Sequence, residues 1–157
     1  MVSPIIHTYY FISDKIFNHK IIYPKSVEHS GFANHYHPYG GQDMERKIKH
    51  ICVSQSIIGC IDATLDFQSK NQYLYLHYCN YDSSKVYQPS EKIVIDRAVT
   101  GEEWILEPVE MIVKTYYKII IKEINNDLIE YDYYDKIYNF HLKRYGFNYK
   151  RHYNSKK

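Results

Sequence analysis

A chain of 157 residues is the length of one ordinary domain, and an apolar fraction of 45% beside a charged fraction of 24% supports a packed core. The net charge of +2 neither demands nor excludes nucleic acid, and an odd count of three cysteines without a C-x-x-C pair argues against a disulfide framework or a thiolate zinc site and for a reducing compartment. The first residues lack a cationic stretch followed by a long apolar run, and the most apolar segments (48–61 and 112–124) are short and broken by polar residues. Neither a signal peptide nor a membrane span is expected, and the cytoplasm, of a host cell if the chain is viral, is the expected location. Nineteen tyrosines with abundant Ile, Lys and Asn suggest an AT-rich coding sequence.

In chain order, residues 4–12 are apolar and aromatic and read as a first buried strand. Residues 20–23, ending at Pro24, form a short extended piece, and 26–46, with Gly31, Pro38, Gly40 and Gly41, read as a long loop. A strand follows over 48–53. Ser54 is placed to cap a helix over 54–67, with Ile57, Ile58, Ile61 and Leu65 on one face and Cys60 beside them. Further strands are expected at 72–78, 91–95, 103–113 and 115–124, the last two joined by a bend. Asp127 with Glu130 resembles a capping box, Tyr131, Tyr134, Tyr138 and Leu142 recur at helical spacing, and Gly146 suits a helix end. The expected architecture is a single α+β domain with mixed or antiparallel sheets, one internal helix and one C-terminal helix. It divides into a core (1–124), a terminal helix (125–146) and a basic aromatic tail (147–157).

Several constellations bear on chemistry. His35-Tyr-His37 is a usable metal clip if extended, with His29, Asp43, Glu45 and His50 nearby, but the spacings fit no cupin pattern and no third ligand stands at a recognised interval. A metal cofactor is not expected. Cys52 and Cys79 fall in expected strands and Cys60 on the apolar face of a helix, so all three read as core thiols. No G-x-S-x-G elbow and no glycine-rich phosphate loop is present. After position 141, Lys143, Arg144, Lys150 and Arg151 interleave with Tyr145, Phe147, Tyr149 and Tyr153. Cations for phosphates and aromatics for bases make Lys143, Arg144, Tyr149, Lys150 and Arg151 the candidate nucleic-acid contacts.

His7 in the first strand, Ser54 after the 48–53 strand, and Glu102-Glu103 in the later GEEW stretch follow an order that resembles the ADP-ribosyltransferase superfamily, including the RNA 2′-phosphotransferases. The resemblance covers about residues 4–113 and implies a fold of that type binding NAD or a related nucleotide. His7 would contact the ribose, with Tyr9 beside it. Ser54 or Ser56 would line the nicotinamide pocket, and Glu102 or Glu103 would stabilise the oxocarbenium charge. The runs KHICVSQSIIGCIDA, YLYLHYCNYD and TGEEWILEPVEM also look like small proteins of phages and mobile elements, which implies a viral protein engaging a host factor. The alternative to a nucleotide-binding enzyme is therefore a non-enzymatic inhibitor, or a nucleic-acid-binding protein acting on the host.

Overall fold

A computed structural model describes residues 3–25, 47–64, 73–91, 94, 97–135, 137 and 139–148. The described elements are β1 (Ile6–Ser13), β2 (Lys20–Ile22), β3 (Ile51–Val53), α1 (Ile57–Ala63), β4 (Tyr73–Asp82), a 3-10 turn (Ser83–Lys85), α2 (Arg97–Thr100), β5 (Glu103–Ile105), β6 (Val109–Glu123), β7 (Leu128–Asp135) and β8 (Phe140–Phe147). The class is α+β. One six-stranded sheet runs β1-β4-β6-β7-β8, with β2 added on β6, and β3 and β5 form a separate two-stranded ribbon. Every named strand pair is antiparallel. No helix among the described residues is long and apolar enough to cross a membrane.

The sheet has a core on each face. Tyr9, Cys79, Tyr81 and Met111 pack with the ribbon residues Ile51, Val53 and Ile105. Leu74, Leu76, Tyr117, Ile119, Tyr131 and Tyr133 pack with Ile61 of α1. Strand β6 serves both, although Met111, Thr115, Tyr117 and Ile119 all hold odd positions in one alternating run. The register explains this: Leu76 faces Thr115 while His77 faces Val113, so Lys114 is an extra residue. A bulge of this kind reverses which face the odd positions meet. The bend expected near residue 114 is this bulge, and the true break between β5 and β6 falls at residues 106–108.

The C-terminal helix expected over 125–146 is absent. In its place β7 and β8 form a hairpin, with Leu128 opposite Phe147 and Asp135 opposite Phe140. Tyr131 and Tyr133 point into the core, whereas Tyr134 is on the other face, stacked on His141 at 4.3 Å between ring centroids. The inward set thus has period two, as suits a half-buried strand rich in β-branched and aromatic residues. Asp127 is not a helix cap. Its N–H donates to Asn125 Oδ1 (2.8 Å) in the turn between β6 and β7, and Asn139 takes the left-handed φ of 55° that the β7–β8 turn needs.

The internal helix is shorter than 54–67 and is capped by Ser56 rather than Ser54, its buried residues being Gly59, Cys60 and Ile61 while Ile58 is exposed. Leu65 lies outside the described residues. A second short helix, α2, stands where none was expected. Of the strand expected at 91–95, Glu91 lies in a turn and Val94 in a bend, the remainder falling outside the described residues.

Candidate functional site

Strand β3 runs on into Ser54, and there it meets the free edge of β1. Tyr10 N–H donates to Ser54 O (2.7 Å) and Ser54 N–H to Tyr10 O (3.1 Å), joining ribbon to sheet. The Ser54 hydroxyl donates to the Thr100 carbonyl (2.8 Å) and accepts from Ser56 N–H (3.0 Å). Ser54, expected to line a ligand pocket, is instead buried at 3% exposure and clamps α2 to the β3–α1 turn. Ser56 is exposed, and its hydroxyl accepts from Gly59 N–H as the cap of α1.

Between these two serines Gln55 points outward and connects two of the expected residues. Its Oε1 lies 3.0 Å from His7 Nδ1, and its Nε2 donates to Glu103 Oε1 at 3.1 Å. An amide oxygen only accepts, so Nδ1 carries the proton and the neutral His7 ring keeps its lone pair on Nε2. His7 of β1 and Glu103 of β5 are therefore held on either side of one amide. Tyr9 is not available for ligand contact. It is wholly buried, its ring stacks against His7 at 6.5 Å, and its hydroxyl has no hydrogen-bond partner among the described residues. Burial first, and then the negative charge of Glu103, push the Tyr9 phenol above its ordinary pKa.

Glu102 faces a different set of groups. Its Oε1 accepts from Trp104 Nε1–H (2.9 Å) and from the Cys52 thiol (3.0 Å). Cys52 is opposite Trp104 in the ribbon, and His50 stacks flat on the indole with centroids 3.7 Å apart. Cys52 is exposed, contrary to its expected place in a core, because Ile51 and Val53 take the inward positions of β3. Cys60 and Cys79 are buried as expected, and burial raises their thiols to about 12 and about 11. Neither supplies a thiolate near neutral pH.

Two open clefts adjoin this junction. One of about 490 Å³ is lined by Tyr10, Gln55, Ser56, Lys114, Thr115 and Asp135. The other, about 400 Å³, is lined by Thr8, Tyr10, Tyr78, Asn80 and Lys114 among others. Sharing Tyr10 and Lys114, they are neighbours on one face of the sheet. His7 and Glu103 line neither, so Gln55 is the point where their network meets the larger cleft.

Of the candidate nucleic-acid residues, Lys143 lies 3.5 Å from Glu130 and 3.9 Å from Asp132, and Arg144 Nε donates to Asp62 at 2.7 Å. Both cations are thus already engaged by carboxylates. Tyr149, Lys150 and Arg151 lie outside the described residues, as do the metal-clip candidates His35 and His37. Gln55 was missed by sequence reasoning, and no local pattern marks it, since its role depends on a β1–β3 junction built by residues far apart in the chain. Comparison with family models, curated proteins and solved structures finds no match for this chain.

Proposed function

We propose that the chain is an ADP-ribosyltransferase-like domain that binds NAD or a related nucleotide beside His7, Gln55 and Glu103. The observation that carries this reading is the shared Gln55 amide, which draws together a first-strand histidine and a late-strand carboxylate from β1 and β5. With its Nδ1–H given to Gln55, His7 offers Nε2 to a ribose hydroxyl. Glu103, fixed at one oxygen by the same amide, supplies negative charge where cleavage of the N-glycosidic bond leaves positive charge on the sugar. Glu103 is preferred over Glu102, whose carboxylate already serves the indole and the Cys52 thiol. Ser56, exposed at the mouth of the larger cleft, keeps a place in the pocket, whereas Ser54 and Tyr9 act beneath it. None of the three cysteines is in a disulfide, which suits a reducing, cytoplasmic setting.

The test is a thermal-shift titration with NAD, ADP-ribose and a short RNA. A ligand held only by the folded state raises stability by about 2.7 kcal/mol at one hundred times its dissociation constant. The expected result is a shift with a nucleotide that His7→Ala and Gln55→Ala abolish, while Glu103→Gln keeps binding and loses NAD cleavage. A nucleotide shift unchanged by His7→Ala would overturn the assignment. A shift with RNA alone would move the function to the basic C-terminus.

A further inference from the structure

We propose that His50, Cys52 and Glu102 form a binding site for a zinc-class divalent cation on the outer face of the β3–β5 ribbon. One ligand atom from each, a ring nitrogen, a thiol sulfur and a carboxylate oxygen, lies within 4.8 Å of the other two. Residues 50 and 52 are two apart on extended backbone and so share a face, and the pairing of Cys52 with Trp104 brings Glu102 across to them. The mixed nitrogen, sulfur and oxygen set favours zinc over magnesium or calcium, which take oxygen donors.

The supporting groups have the form that metal ligands require. His50 Nδ1 lies 2.8 Å from the Ile48 carbonyl, which only accepts, so Nδ1 carries the proton and Nε2 is the lone-pair nitrogen. The ring is buried and lies within 7° of parallel to Trp104, which limits its rotation. The indole N–H fixes the Glu102 carboxylate from behind. Cys52 stands beside that carboxylate as a thiol donor. When a dication binds, the thiol proton leaves to solvent and a thiolate–metal bond replaces the S–H bond. The ion then balances the two adjacent anions. Three protein donors leave the fourth tetrahedral position for water or an exogenous ligand.

The site is independent of the nucleotide reading and departs from the expectation that no metal is bound. The experiment uses metal-stripped full-length protein without an affinity tag, titrated with cobalt(II) as a spectroscopic probe and then with zinc. The expected result is a thiolate-to-cobalt charge-transfer band that saturates at one equivalent and is displaced by zinc. Cys52→Ser should abolish the band, and Glu102→Gln, which removes an anionic ligand, should weaken zinc by more than the roughly 10- to 100-fold that loss of a merely supporting group costs. His7→Ala should leave the band intact, so the two proposals fail separately. A folded protein with no thiolate band at saturating cobalt, or a band that survives Cys52→Ser, overturns the site.

Discussion

At the scale of single residues, the junction depends on a position where no side chain fits. A β-carbon on Gly59 would lie 2.1 Å from the Thr100 carbonyl oxygen, the same oxygen that accepts from Ser54. Alanine is the better helix former, yet Gly59→Ala must push α1 away from α2. We expect it to destabilise by about 2 kcal/mol or more in urea denaturation, steric strain exceeding the roughly 1 kcal/mol gained in helix propensity. An unchanged midpoint would mean that the two helices do not touch. His77 makes a second residue-scale case. Wholly buried, it accepts from Phe17 N–H at Nε2 (2.9 Å) and donates from Nδ1 to Phe11 O (3.3 Å), which only the neutral ring can do. Burial lowers its pKa in the folded state, and His50 shifts the same way. The unfolded chain then takes up protons that the folded chain refuses. Stability should be fully present above the ordinary histidine pKa of about 6.5 and fall as the pH drops below it. Denaturation midpoints measured across that range should show the decline. His77→Gln should flatten it in part, leaving the portion that belongs to His50, and a midpoint that rises on acidification would contradict the assignment.

At the scale of elements, the bulge at Lys114 decides which core each half of β6 enters. Deleting Lys114 would remove the extra residue and make Val113 and Thr115 neighbours. Simple alternation then keeps Thr115, Tyr117 and Ile119 on the face of Ile61, Leu76 and Tyr133, whereas inserting an alanine after Lys114 would turn all three to the other face. We expect the deletion to retain cooperative unfolding and the insertion to abolish it, whereas Lys114→Ala changes stability by less than about 1 kcal/mol. Melting curves for the three variants separate a register effect from a side-chain effect. Strands β1, β4 and β6 are legible in the sequence, β1 as a continuous apolar and aromatic run covered on both faces and β4 by its alternation. The bulge is legible only as a bend, since both halves of β6 carry their apolar residues at odd positions. The β7–β8 hairpin is not legible, for Tyr131, Tyr134 and Leu142 satisfy a helical period while Tyr131 and Tyr133 satisfy a strand period. The contact that decides between them, Tyr133 against the residues of β4 and β6, is long-range. The same holds for the site. His7 and Glu103 are legible as candidates, but Gln55 between them and the His50–Cys52–Glu102 group arise from the pairing of distant strands.

At the scale of the whole molecule, two cores on opposite faces of one sheet share β1, β4 and β6, and the ribbon joins that sheet through the Tyr10–Ser54 pair. Each core adds strands of its own, the ribbon to one and β7 to the other, but both rest on the shared three, so we expect neither to be lost while the other persists. The chain provides two separate reporters of this coupling. Trp104, the single tryptophan, is buried in the ribbon, so its fluorescence follows the β3–β5 region. Far-ultraviolet circular dichroism follows chiefly the long strands β4, β6, β7 and β8. We expect the two signals to give one coincident transition. Ile105→Ala and Leu76→Ala, each removing a fully buried side chain from a different core, should each cost about 2–5 kcal/mol and shift both signals together. If Ile105→Ala moved the fluorescence transition and left the dichroism in place, the ribbon would be a separately unfolding unit. The His7–Gln55–Glu103 network spans the junction of ribbon and sheet, so its geometry would then depend on docking of the ribbon. Coincident transitions instead make the network as stable as the fold, a surface already arranged before any ligand arrives.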